Sequence, residues 1–460
     1  MRTSGMKFVT LDIGSTSIKG VVWDLDRMQV VGESVRVASP SALTGLPAGY
    51  FELDPREVTR RVGKVVETLS AACDCDGIVS CTQMSGVVLA DTQGTPRTNY
   101  LSWRDQRLQT EHLDAGESCY ERLCGRLGED VLRQLGQECK VGSSPALLFW
   151  LRQNGQLPTE AIPMSLGDFV GMQLAQAEPV TEYTNALGAM NLETRQWHRE
   201  AFCELGINDL RWPRLCDPYS PVGHIMLRGK KVPWFPSVGD HQCALVGTQL
   251  GENELSINAS TGSQVSILSG DYSPGDYQVR PYFEKQYLNT LTHLPAGRSL
   301  NVLVNLLSEL AESQGRKLDD PWTYILSEAE KVKTDLDVKL TFFTGPLGDR
   351  GSIQNMSLEN LTIGHLFRAA FDNMAENFET AACRLGLEKI KNLVVSGGLV
   401  RRSPLLQEKI LRRLAYPIRI AEAEEETMVG LLLLALVASG RHSELASASA
   451  SLRLHNPAVS

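Results

Sequence analysis

The stretch Phe8-Val9-Thr10-Leu11-Asp12-Ile13-Gly14-Ser15-Thr16-Ser17-Ile18-Lys19-Gly20-Val21-Val22-Trp23 sets two apolar, β-branched runs on either side of a turn of glycine and small hydroxyl residues. No other segment narrows the folding options of the chain as far. The pattern reads as a β-hairpin. A turn of this composition leaves backbone N–H groups open to an anion. Lys19 adds positive charge, and Asp12 offers a carboxylate to hydrated Mg²⁺, which takes one or two such ligands beside phosphate oxygens. The residues therefore predict a phosphate-and-metal hairpin. It is not a Walker loop, because no G-x-x-x-x-G-K-[ST] occurs. The plain alternative is a tight hairpin with polar turn residues.

Past the midpoint the same logic returns in Glu254-Leu255-Ser256-Ile257-Asn258-Ala259-Ser260-Thr261-Gly262-Ser263-Gln264-Val265-Ser266-Ile267-Leu268. An apolar strand, a hydroxyl-and-glycine turn and a second strand suggest an internal duplication. A chain of 460 residues exceeds what one compact core holds. The expectation is two similar α/β domains, residues 6–248 and 249–445, with a cleft between them and a tail at 446–460. Apolar content of 42% and charged content of 22% place the chain among globular proteins. A net charge of −9 argues against nucleic acid or an anionic membrane surface as partner. The N-terminus shows no apolar signal segment, and the apolar run 430–440 is too short to span a bilayer, so it reads as a core helix. A cytoplasmic location follows as an expectation. The ten cysteines, including Cys73, Cys75 and Cys81, lack the paired spacing of a zinc site and read as buried or half-buried thiols.

Residues 56–72 predict a helix, 77–80 and 87–90 strands, and 143–177 mainly helix broken near Pro158 and Pro163. Five prolines at 213, 218, 221, 233 and 236 make 212–236 loop-rich. Residues 391–410 read as a strand, a Gly397-Gly398 turn, and a helix opened by Ser403 as N-cap and Pro404 at its first position. Glu424-Glu425-Glu426 reads as a solvated run before the last core helix.

Taken together these motifs resemble the FGGY carbohydrate kinases, in the superfamily of two-domain ATPases that contains actin and hexokinase. Residues 11–19 are similar to that family's first phosphate hairpin, and Thr82-Gln83-Met84-Ser85-Gly86 to its sugar-contacting Gln-Met-His-Gly turn. Ser102-Trp103-Arg104-Asp105-Gln106-Arg107 looks like its Trp-x-Asp-x-Arg segment. Thr181-Glu182-Tyr183-Thr184-Asn185-Ala186 looks like its Thr-Asp-Tyr-Ser-Asn-Ala, and Gly239-Asp240-His241-Gln242-Cys243-Ala244 like its catalytic block. Ser260-Thr261-Gly262-Ser263 and Val395-Ser396-Gly397-Gly398-Leu399 resemble the second phosphate hairpin and the adenosine turn. Residues 281–288 and 296–301 look most like sedoheptulokinase-like members. Three departures stand out: Ser85 replaces the family His, Leu147 stands where Lys is usual, and Asn355-Met356 replaces Gly plus an aliphatic residue.

The resemblance implies two actin-like (ribonuclease H-like) α/β domains around a central cleft and ATP-dependent phosphorylation of a terminal ketose hydroxyl. Sedoheptulose is the first expectation; xylulose, ribulose or a polyol is the alternative. It implies Asp240 as proton acceptor, against the plain reading of a helix N-cap. Gln83, Met84, Ser85, Trp103, Asp105 and His241 would line the sugar pocket, although Trp103 is also a natural packing residue. ATP would meet Ser15, Thr16, Ser17, Lys19, Thr261, Gly262, Gly297, Gly397, Gly398 and Arg402, and Asp12 would hold Mg²⁺ through water. The expected partners are the sugar and ATP, and a homodimer is one assembly open to such a chain. Two competing classes are a catalytically silent sugar or nucleotide regulator, which would be expected to lose Asp12 or Asp240, and a water-activating ATPase.

Overall fold

The computed structural model describes residues 5–110, 116–421, 423 and 425–455. Its opening hairpin is Lys7–Ile13 (β1) against Ser17–Asp24 (β2), and Gln29–Ala38 (β3) adds antiparallel to β2. A parallel neighbour for β1 needs a crossover, which Pro55–Ala72 (α1) supplies. Asp54 caps that helix by accepting from the Arg56 amide, and Pro55 sits at its first position. Val58, Val62, Val65, Val66 and Leu69 recur at helical spacing and are buried against the sheet. Gly77–Thr82 (β4) follows, parallel to β1. An insertion then intervenes, with its own core around Leu123, Leu147, Phe149 and Phe202; it includes the helix Cys119–Gln134 (α2). Gly223–Leu227 (β5) and Lys230–Gly239 (β6) complete a sheet of order β5-β6-β4-β1-β2-β3, and Asp240–Gly247 (α3) follows.

The second half repeats the path. Glu254–Ala259 (β7) pairs antiparallel with Ser263–Ser269 (β8). With Gln278–Pro281 (β9), Tyr287–Leu294 (β10), Asn392–Ser396 (β11) and Ile418–Ile420 (β12) they form a sheet of order β9-β10-β8-β7-β11-β12. Between β10 and β11 lie the helices Gly297–Glu312 (α4), Pro321–Lys331 (α5) and Ile363–Leu385 (α6), and Pro404–Leu414 (α7) joins β11 to β12. In both sheets a hairpin carries a third antiparallel strand on one side and two parallel strands on the other. The duplication and the two-domain actin-like α/β class expected from the sequence are present.

Each repeat closes with a helix: α3 after β6, and Glu426–Ala438 (α8) after β12. The two cross so closely that a side chain on Gly247 would collide with the Glu426 carbonyl, and one on Gly430 with the Cys243 carbonyl. The apolar run near 430 is thus the core helix expected. It shares one core with Phe8, Val79 and Val238 of the first sheet and Leu288 and Val394 of the second.

Four expectations change. The proline-rich 212–236 is not mainly loop: it holds Arg214–Cys216, β5 and β6, with Pro233 and Pro236 inside an interior strand. Proline cannot donate to a ladder, and β6 accommodates the pair through a register break against β4 between Trp234 and Ser237. The segment 446–460 is not a plain tail. Leu445–His455 (α9) buries Leu445, Ala448 and Leu452 in the core shared with α8; residues 456–460 lie outside the described residues. Glu425 is exposed as expected, though paired with Lys19 at 2.7 Å, whereas Glu426 is half-buried against Arg401 at 2.9 Å; Glu424 lies outside the described residues. All ten cysteines are free, yet Cys203 and Cys383 are exposed. Among the described residues no helix is long and apolar enough to cross a membrane.

Candidate active site

Register builds the site. Ile13 of β1 pairs with Thr82 of β4, and Thr82 with Gly239 of β6, so three adjacent parallel strands end together. The Gly14–Ser17 turn, the Gln83–Gly86 turn and Asp240 all leave from this carboxyl edge, where α/β sheets present ligand-binding groups. In the second domain Asn258 pairs with Ser396, bringing the Ser260–Gly262 turn beside Gly397 and Gly398.

Asp240 is the first residue of α3 rather than its cap; Gly239 occupies the cap position and no side-chain capping bond forms. The carboxyl is instead pushed up to about 7, by burial and by the nearby Asp12 carboxylate, against the His241 amide and the Arg280 charge. Asp12 is also raised by burial, opposed by the Cys81 thiol, which donates to it at 3.6 Å, and the Thr427 hydroxyl at 3.3 Å. No cluster of three or more His, Cys, Asp or Glu suited to a metal occurs among the described residues. Asp12 beside Asp240 nevertheless fits Mg²⁺, which draws most of its ligands from phosphate and water.

The segment 181–186 braces the strand end that carries Asp240. The Gly239 amide donates to Thr184 Oγ1 at 2.7 Å, Thr184 Oγ1 donates to Glu182, and Asn185 Nδ2 donates to the Ser237 carbonyl at 2.7 Å. Burial pushes the Glu182 carboxyl up to about 8.

Among the residues expected at the sugar, Gln83 is buried and its backbone N–H donates to the Ile13 carbonyl at 3.1 Å. Met84 packs on Gly239, where a side chain would meet its thioether. Ser85 adopts a left-handed φ of 63°, and its carbonyl accepts from the Tyr100 hydroxyl. Trp103 is 37% exposed. Asp105 is corrected: it is fully buried, with its carboxylate taken by Arg107 at 2.7 Å and the Phe51 amide at 2.7 Å, so it serves the core and not a sugar. His241 adjoins Asp240, and its Nδ1 lies 2.8 Å from Arg280 Nη1.

On the nucleotide side, Thr16 is exposed at the first turn and Ser17 half-buried. Ser15 accepts from Arg104 Nη2 at 2.9 Å, which brings to this turn a cation that the sequence reading passed over. Its only signal was the variable position of Trp-x-Asp-x-Arg. Lys19 is also corrected: it is 8% exposed and its ammonium pairs with Glu425, so it is not a free phosphate-binding cation here. Thr261, Gly297, Gly398 and Arg402 converge on a cavity of about 400 Å³, together with Trp322 and Asn301, which sequence reasoning missed. Gly262 faces open space on the same turn, and Gly397 packs on the Ala259 carbonyl behind it.

The profile of the FGGY family of carbohydrate kinases, N-terminal domain, matches residues 7–247, more than half of the chain. The chain belongs to that family. A xylulose kinase of Staphylococcus xylosus is 25% identical over 324 residues, covering 65% of this chain and 64% of that protein. A gluconokinase of Bacillus licheniformis is 21% identical over 472 residues, 94% of this chain and 87% of that protein. Among solved structures, ligand-bound xylulose kinase from Lactobacillus acidophilus superposes with a TM-score of 0.82 at 17% identity, over 96% of this chain and 91% of that one. Plasmodium falciparum glycerol kinase with ADP gives 0.80 at 20%, over 98% and 93%. The sedoheptulokinase-like character expected from 281–301 finds no support in these relatives, which are named for xylulose, gluconate and glycerol.

Proposed function

We propose that this FGGY-family protein transfers the γ-phosphoryl group of ATP to a terminal hydroxyl of a five-carbon ketose, with xylulose first. One observation carries the reading: a carboxyl raised to about 7 and uncapped stands at the strand edge that also presents both the first phosphate turn and the Gln83–Gly86 turn. A base tuned near neutral pH takes the proton of the acceptor hydroxyl as its oxygen bonds to phosphorus and ADP departs. The Ser15–Ser17 and Ser260–Gly262 turns would grip the phosphates, and the cavity beside Trp322 would take the adenosine. Mg²⁺ bound with the nucleotide would neutralise phosphate charge, and Asp12 would hold its water shell.

A second reading, an aldonate such as gluconate, is favoured by two neighbouring cations, Lys140 and Arg280; burial, and after it the Arg280 charge, lower the Lys140 ammonium against the pull of Glu138. The Lys140 segment borders the Gln83–Gly86 turn, since the Gly86 amide donates to the Gly142 carbonyl at 3.0 Å. Coupled ADP-release assays with xylulose, ribulose, sedoheptulose, glycerol and gluconate decide. The proposal expects ATP consumption only with added sugar, and highest kcat/KM on xylulose. Gluconate ranking first would select the second reading, and sugar-independent ADP release would replace both with an ATPase.

A further inference from the structure

We infer that Glu138, Arg280 and His241 form a positioning relay that presents His241 Nε2–H to an oxygen of the acceptor sugar. The inference rests on the kinase reading for the identity of the ligand, but the relay itself is written in the fold. Arg280 on β9 donates from Nε to Glu138 Oε1 at 2.6 Å and from Nη1 to His241 Nδ1 at 2.8 Å. A guanidinium only donates, so Nδ1 must be the accepting nitrogen and the ring proton must sit on Nε2. That Nε2 is buried and has no partner among the described residues. A buried N–H without an acceptor is costly, and here it adjoins the proton acceptor Asp240. A sugar oxygen supplies what it lacks.

The relay is held from two directions. Glu138 follows α2 in the first domain, where the Val279 amide of β9 donates to the Gly136 carbonyl at 3.0 Å. Only glycine fits at 136, because any side chain would strike the Val279 carbonyl. From α3, Gln242 Nε2 donates to the Pro281 carbonyl at 3.1 Å. Arg280 therefore bridges the two domains, and the histidine is oriented only when they are docked. The charged and titratable groups around the ring are Arg280 in direct contact, Asp240 beside it, and Glu138, Lys140 and His293 next to Arg280. Burial and the Arg280 charge keep the imidazole neutral.

Two measurements test this. In the ligand-free protein, long-range ¹H–¹⁵N spectra of labelled histidine, with His241 assigned by its loss in His241→Gln, report tautomer and charge from about pH 5.5 to about 8. The relay expects the neutral Nε2–H form throughout, and mixed or titrating signals in Arg280→Met. An Nδ1–H form or an imidazolium in the unaltered protein would overturn it, whatever the protein's substrate. With the best acceptor of the panel, Arg280→Met is expected to raise the sugar KM about tenfold with little change in the KM for ATP, and Arg280→Lys to recover part of the loss. In a His241→Gln background, where a side-chain amide needs no tautomer, Arg280→Met should add little. Multiplying losses in that double variant would show that Arg280 acts independently and would sink the relay. Glu138→Gln with Arg280→Met removes both members of the buried ion pair together and replaces the single variant should that fail to fold. If no sugar is turned over, the kinase reading fails while the spectra still judge the relay.

Discussion

Asp240 owes its basicity to where the chain turns. It leaves β6 at the strand end nearest the Asp12 carboxylate, and burial and like charge together bring its carboxyl to about 7. Asp240→Asn should lower kcat by roughly 10²–10⁴-fold while ADP binding, read by calorimetry, stays near its original value. In the unaltered protein kcat/KM should fall as pH drops below about 7, as the base becomes protonated. The same shift bears on stability. A carboxyl whose folded pKa lies above its unfolded one stabilises the fold at low pH and ceases to do so as pH rises through the folded value. Asp240→Asn should therefore raise the thermal midpoint at pH 8 more than at pH 5, by the equivalent of about 1–2 kcal/mol after solvent screening. Asp12→Ala tests the other carboxylate: it should weaken productive use of Mg-ATP, read as a higher KM for Mg-ATP, far more than sugar binding measured without nucleotide.

Elements carry the second set of consequences. The brace from Thr184 to the Gly239 amide sets the entry of α3, so Thr184→Val, near in shape but without the hydroxyl, should misplace Asp240. The expected result is a loss of about tenfold in kcat with the circular dichroism spectrum unchanged. Where α3 and α8 cross, Gly430→Ala drives a methyl into the Cys243 carbonyl and forces the helices apart. The denaturant midpoint should drop by the equivalent of about 1–3 kcal/mol. Much of this scale was legible in the chain itself. Ser403 and Pro404 open α7 as expected, with Ser403 accepting from the Leu406 amide, because capping is decided within four residues. Strand β6 was not legible, because its prolines are tolerated only through a bulge against β4, a partner more than 150 residues earlier in the chain.

For the whole molecule, three buried carboxyls share one direction of shift: Asp168 and Asp240 at about 7 and Glu182 at about 8. From about pH 4, where these carboxyls ionise in the unfolded chain, to about pH 8, the folded state binds more of these protons than the unfolded one, so their contribution to stability declines as pH rises across that window. Below about pH 6.5, His198, His241 and His293, all depressed by burial, oppose that trend, since their contribution is lost as pH falls. A thermal midpoint that rises steadily from pH 6.5 to 8 would contradict these assignments. By itself the sequence determined the two hairpins, the duplicated order of strand and helix, the apolar helix near 430 and the chemistry of the turns. These depend on neighbours a few residues apart and on the periods of strand and helix. Only the tertiary structure decided that Asp105 and Lys19 are committed to Arg107 and Glu425, and that Arg280 reaches His241 across the domain junction. A charge takes its partner from whatever the fold brings within about 3 Å, and its proton affinity from the water the fold removes. Neither quantity exists until strands far apart in the chain have found their register.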